Sequence, residues 1–145
     1  LRSHRPSGVR SIVPPYSPVR IVGVEPHLPG TSGPTLKEGI ESVDAECGED
    51  RPAFCGINCS HPLEFLPAIE PGDWFERVRC LRPNAAMMDK ISLCTLGHLE
   101  SGDPVDLGRR MGAVAKQHPH IDIWGGCCGT WESHLDEIAR NIAAH

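Results

Sequence analysis

The stretch WGGCCGT, residues 124–130, sets two adjacent cysteines among glycines directly behind a short apolar run. Neighbouring residues of a regular strand point to opposite faces, so Cys127 and Cys128 can share one ion only if the backbone leaves the β conformation between them. Gly125, Gly126 and Gly129 supply that departure, through unusual φ values and close backbone approach. The pair is expected to bend around a single soft cation; the bland alternatives are a strained vicinal disulfide or two plain buried thiols. A third cysteine, Cys59, ends the segment PAFCGINC (52–59). Three thiolates with an open fourth position are the ligand pattern of a catalytic Zn2+, whereas a structural zinc is usually closed by four protein ligands. No fourth ligand stands out.

The other candidates have weaker claims. Cys55 and Cys59 form C-x3-C, but the third cysteine of an iron–sulfur motif is missing, and four strand residues separate the two thiols by about 13 Å. Cys55 is read as a core thiol, and Cys47, Cys80 and Cys94 as small hydrophobes or surface thiols. His61, close to Cys59, reads as part of a helix start rather than a ligand. His118 and His120 precede the last strand, at the opposite end from the cysteines, and read as packing or surface residues. Asn58 and Asn84 fall at strand ends, where an amide can orient a ligand or a thiolate; turn-making is the alternative for Asn84.

The elements that must position these residues alternate. RIVGVE (20–25) reads as a strand, followed by a loop and a helix that Thr35 and Glu38 open as a capping box ahead of Leu36, Ile40 and Val43. PAFCGINC is a second strand, followed by a helical stretch interrupted at Pro67 and Pro71, and RVRCLR (77–82) is a third. Asp103 caps a helix with Pro104 in its first turn and Leu107, Met111 and Val114 along one face. HIDIW (120–124) is the fourth strand, and Leu135, Ile138 and Ile142 mark a closing helix reached through Thr130. Four successive β-then-α units imply parallel strands with helical crossovers, in a doubly wound sheet or half of an eight-fold barrel. In both, ligands sit beyond the carboxyl ends of the strands, the end that carries Cys59, Cys127 and Cys128.

Composition narrows the partners. The 145 residues are 39% hydrophobic and 23% charged, which suits one modest core. Net charge is 14 − 19 = −5 with no basic run, so neither a nucleic-acid footprint nor a polybasic membrane patch is present. No stretch approaches a membrane span and no apolar segment follows the basic opening, so a cytoplasmic protein acting on a small molecule or another protein is expected. The seven cysteines are odd in number and follow no regular framework, which favours reduced thiols. Residues 1–18, rich in proline, read as an irregular lead-in to a domain spanning 19–145. A start at Leu1 suggests a fragment or processed product.

GINCSHP (56–62), followed by GGCCGT (125–130) and a helix bearing His134, resembles the homocysteine S-methyltransferase family in its zinc-dependent betaine/S-methylmethionine type. LRPNA (81–85) and SGPTLKEGIESVDA (32–45) resemble that family's connecting segments. The resemblance covers about residues 21–145 and implies the carboxyl-terminal half of a (β/α)8 TIM barrel, four parallel βα units, with Cys59, Cys127 and Cys128 as zinc ligands. It implies methyl transfer to homocysteine, giving methionine: the zinc-bound thiolate attacks a methyl carried by a sulfonium, a quaternary ammonium or a folate. Asn58 and Asn84 are the expected substrate-binding residues. The family's glycine-rich first strand and acidic fourth-strand residue have no counterpart here. The competing expectation is a non-catalytic zinc-binding half-barrel that needs a partner for the missing strands. Open sheet edges would favour self-association.

Overall fold

The computed structural model describes residues 34–87, 95 and 97–144. The expected strand 20–25, the lead-in 1–18 and Cys94 lie outside them. In chain order the main elements are α1 (Leu36–Cys47), β1 (Cys55–Asn58), α2 (Pro62–Phe65), β2 (Val78–Arg82), α3 (Pro104–Gln117), β3 (Ile123–Trp124) and α4 (Glu132–Ala143). The strands form one parallel sheet in the order β1-β2-β3. Each is followed by helix, as expected of βα units, and the open sheet is compatible with part of a barrel.

The local signals act as expected. Thr35 Oγ1 accepts from the Glu38 N–H at 3.2 Å while Glu38 Oε2 accepts from the Thr35 N–H at 2.8 Å, closing the capping box of α1. Asp103 Oδ1 accepts from the Val105 N–H at 2.9 Å and Pro104 opens α3, where the missing N–H costs nothing. The interrupted stretch after β1 is shorter than a continuous helix. α2 has four residues, and Leu66–Ala68 and Asp73–Arg77 are 3-10 turns. Pro67 and Pro71 account for this, since each lacks an N–H donor and limits its neighbour.

The apolar core lies between one face of the sheet and the helices: Ile57 and Leu81 meet Leu36, Phe65, Leu107, Met111 and Ile138, among others. On the opposite face Gly56 lies against Cys80, and a Cβ on Gly56 would stand 3.0 Å from the Cys80 Cβ. α3 and α4 pack equally closely. A Cβ on Gly108 would stand 2.6 Å from the Glu137 Cβ, and one on Gly112 2.8 Å from the Asn141 Cβ, so the two glycines let the helices pack at contact distance. Leu135, expected on the buried face of α4, is 43% exposed, and Ile138 and His134 are the buried residues of that helix.

Two clusters secure the amino-terminal ends of the strands. Arg77 grips Asp44 with two bonds, Nε to Oδ2 at 2.7 Å and Nη2 to Oδ1 at 2.9 Å, and donates to the carbonyls of Pro52 and Ala53, tying α1 to the approach to β1. The guanidinium holds the Asp44 carboxyl below its usual range. At the approach to β3, the rings of His118 and His120 pack edge-on to Phe75, with centroids 4.9 and 5.5 Å away, and a His120 ring nitrogen donates to the Phe75 carbonyl. These histidines are packing residues, as their place before the last strand implied.

Candidate metal centre

At the carboxyl ends of the strands the chain is held by a belt of backbone hydrogen bonds. Cys59, just past β1, adopts φ 60°, and no other non-glycine among the described residues has positive φ. The left-handed region costs an L-residue roughly 1–2 kcal/mol. In return the Cys59 N–H donates to the Arg82 carbonyl at 2.8 Å, carrying the pairing with β2 one residue beyond the strand. The next residue, Ser60, accepts from the Asn84 N–H at 3.3 Å.

On the other flank the Gly125 N–H donates to Leu81 at 3.0 Å, the Cys127 N–H to Pro83 at 3.0 Å, and Cys128 accepts from the Ala85 N–H at 3.1 Å. Pro83–Ala85 is therefore wedged between the two cysteine segments and bonded to both. The turn then closes on Thr130, whose N–H and hydroxyl both donate to the Cys127 carbonyl, at 3.2 and 2.6 Å. Thr130 thus braces the cysteine turn rather than opening the last helix, which Trp131 precedes.

The glycines divide their work differently from the expectation that all three supply unusual φ. Only Gly129 has positive φ, at 71°, and a Cβ there would collide with the Glu100 carbonyl. Gly126 is required for space, since a Cβ would stand 2.7 Å from the Thr130 Cβ. Gly125 has room for a methyl against Arg82. His134, 1% exposed, clamps the same region: its Nδ1 accepts from the Trp131 N–H at 3.1 Å, so its Nε2 carries the proton and donates to the Ser101 carbonyl.

This framework brings the three expected residues together. The Sγ atoms of Cys59, Cys127 and Cys128 all lie within 4.8 Å of one another, the first two half-buried and the third exposed. Tetrahedral zinc with Zn–S near 2.3 Å needs sulfurs about 3.8 Å apart, and three sulfurs all within 4.8 Å of one another are of the donor type and near the spacing that fit such an ion. The vicinal pair is not disulfide-bonded. Cys55 and Cys80 are buried, 1% and 5% exposed, and burial pushes both thiols up, away from the thiolate form a metal would need. His61 is the residue before α2: its Nδ1 accepts from the Leu63 N–H at 3.3 Å, and Glu64 Oε2 accepts from both the His61 N–H and the Ser60 hydroxyl. It starts a helix, as expected.

Asn58 and Asn84 sit beside the cysteines with different fates. Asn58 Oδ1 is buried and has no hydrogen-bond partner. An orphaned buried acceptor costs about 1–3 kcal/mol, which a bound donor would recover. Asn84 is 3% exposed and its Oδ1 accepts from the Ala86 N–H at 3.0 Å, so it holds its own turn.

Arg82, which the sequence motifs do not single out, stands at the end of β2 and reaches the backbone beside Cys127. Its Nε donates to the Gly126 carbonyl at 3.2 Å, and it lines a cavity of about 690 Å³ together with Trp124, Gly125, Gly126 and the Leu135–Ile138 side of α4. The only signal in the sequence is a cation closing the apolar strand that runs into LRPNA.

The model of the family described as homocysteine S-methyltransferase matches residues 21–142. No curated protein and no solved structure matches the chain. Among the described residues no helix is long and apolar enough to cross a membrane.

Proposed function

Because the chain belongs to the homocysteine S-methyltransferase family, we propose that it transfers a methyl group to the thiol of homocysteine, giving methionine, at the Cys59–Cys127–Cys128 site. The observation that carries this reading is the convergence of three sulfurs within 4.8 Å at the ends of two strands 68 residues apart in sequence. Zinc held by these thiols would supply the electrostatic field that keeps a homocysteine thiol deprotonated at neutral pH. The S–CH3 bond forms as the bond from the methyl to its carrier breaks, and the electron pair leaves with the carrier.

The chain's own residues bind and orient. The Pro83–Ala85 wedge fixes the separation of Cys59 from the vicinal pair, and His134 and Thr130 brace the turn behind it. Asn58 offers its amide oxygen to a substrate donor, and Asn84 shapes the adjoining floor through the turn it holds. In architecture we read residues 19–145 as part of a (β/α)8 barrel, its carboxyl-terminal half, cytoplasmic and open to self-association at the sheet edges.

One observation favours the second reading, a non-catalytic zinc-binding half-barrel: among the described residues β3 pairs on one side only, beside an open cavity. Zinc-loaded protein incubated with homocysteine and, in separate arms, a sulfonium, a quaternary ammonium and a methylated folate separates the two. Methionine formation in any arm, lost in Cys59→Ser, supports the methyltransferase. Zinc binding without methionine in all three arms leaves the binding module.

A further inference from the structure

We infer that Arg82 is the carboxylate-binding residue of this site, holding the carboxylate of an amino-acid substrate, either the methyl acceptor or the methyl donor. The inference rests on the methyl-transfer reading of the cysteine cluster, and it names a residue that the cysteine motifs do not.

Arg82 differs from the other arginines in its pairing. Among the described residues Arg77 pairs with Asp44, Arg79 with Asp122, Arg109 and Arg110 with Asp106, and Arg140 with Glu137. Arg51 is exposed and needs no partner. Arg82 is half-buried and, among the described residues, meets no carboxylate; its hydrogen bond is the one from Nε to the Gly126 carbonyl. That bond aims the guanidinium and leaves the terminal nitrogens, with four N–H donors, for an anion. A planar fork of this kind suits a carboxylate in bidentate geometry.

Position agrees with charge. The Arg82 guanidinium is bonded to the carbonyl that immediately precedes Cys127, and in homocysteine the carboxylate carbon lies about 5 Å from the sulfur by standard bond lengths. The guanidinium is thereby anchored one residue from a cysteine of the cluster, and a ligand whose thiol sits at the cluster would reach it with its carboxylate. Asn58 is the register partner of Arg82 across β1 and β2. Its buried, unpartnered Oδ1 is the acceptor an α-ammonium would satisfy.

The test is calorimetric titration of the zinc-loaded chain with matched ligands. L-Homocysteine is compared with 3-aminopropane-1-thiol, which lacks the carboxylate, and S-methylmethionine with (3-aminopropyl)dimethylsulfonium, which lacks it too. In at least one pair the carboxylate should tighten binding about 10- to 100-fold in the wild type, the range of a charge-assisted bidentate contact. Arg82→Gln should reduce that ratio to within about threefold while binding of the decarboxylated ligand is unchanged, which shows the fold intact; Arg82→Lys should restore part of it. An effect confined to the thiol pair assigns the carboxylate to the acceptor, and one confined to the sulfonium pair assigns it to the donor. A wild-type ratio near one in both pairs, no binding of any of the four, or a ratio that survives Arg82→Gln overturns the inference. L-2-Aminobutyrate, which keeps the carboxylate and lacks the thiol, reports on the parent reading: if it binds as tightly as homocysteine while the Arg82 effect persists, the carboxylate site stands and thiol activation falls.

Discussion

Replacing Gly129 by alanine tests whether the cysteine turn is held as tightly as its backbone bonds imply. Two costs are expected. The residue sits at φ 71°, where a side chain costs about 1–2 kcal/mol. The new methyl would also collide with the Glu100 carbonyl and stand 3.0 Å from its carbon, and forcing such a contact costs typically about 1–3 kcal/mol. Gly97→Ala separates the two, because Gly97 has a similar φ of 69° and an added methyl there would meet nothing within 4 Å. Gly97→Ala should therefore lose about 1–2 kcal/mol and Gly129→Ala about 2–5 kcal/mol. In thermal melts, at about 2–4 °C per kcal/mol for a chain near this size, the second variant should melt clearly below the first. Competition with a chromophoric chelator should show weaker zinc binding in Gly129→Ala alone, because relief of the collision must shift either Glu100 or the turn carrying Cys127 and Cys128. Equal melting of the two variants with equal zinc affinity would refute the packing of the Glu100 loop against the cysteine turn.

Other outcomes follow from the same geometry. Cys59→Ser should reduce zinc stoichiometry from about one per chain and weaken affinity far more than Cys55→Ser or Cys80→Ser, measured by metal analysis after equilibrium dialysis; equal losses would deny a defined site. Gly56→Ala should weaken zinc binding without touching a ligand, since its methyl would press on Cys80 across β1 and β2, and Cys80→Gly in the same chain should recover part of the loss. Asp44→Asn should cost about 1 kcal/mol at pH 7 by replacing the two-bond ion pair with a single neutral hydrogen bond, the Pro52 and Ala53 carbonyls remaining as partners of Arg77. Because Arg77 depresses the folded-state pKa of Asp44, the stabilisation is complete above the ordinary carboxylate value near 4 and is lost as pH falls through the lower folded value. Melting temperature should therefore fall less steeply between pH 5 and pH 2 in Asp44→Asn than in the wild type.

The parts of this molecule that sequence revealed are those fixed by local chemistry or by the direction of a parallel sheet. Thr35 with Glu38, and Asp103 with Pro104, state their helix starts within four residues. The convergence of Cys59 with Cys127 and Cys128 follows once both segments end strands of one parallel sheet. What stayed hidden depends on contacts between distant segments. The left-handed turn at Cys59 is held by the Arg82 carbonyl, and which of three glycines needs φ freedom is decided by Glu100 and Thr130. Arg82 looked like an ordinary strand-end cation because the absence of a carboxylate partner among the described residues is a property of the folded neighbourhood. Trp131, rather than Thr130, precedes the final helix because the Thr130 hydroxyl is already committed to the Cys127 carbonyl.

The cysteine cluster is positioned by main chain more than by side-chain packing. Its frame consists of the Cys59 bond to Arg82, the Ser60 bond to Asn84, the Cys127 bond to Pro83 and the Cys128 bond to Ala85. All four join segments whose relative placement is set by the register of β1 on β2 and β2 on β3. A slip of one residue in either pairing would exchange the faces of alternate side chains. It would carry Asn58 or Gly126 to the place of a thiol and break the cluster at once. The Gly56–Cys80 approach and the irregularity between Cys55 and Gly56 disfavour such a slip. Register therefore sets both the sulfur spacing and the neighbourhood of Arg82 with Asn58, so the proposed metal site and the proposed carboxylate site rise or fall with one structural variable.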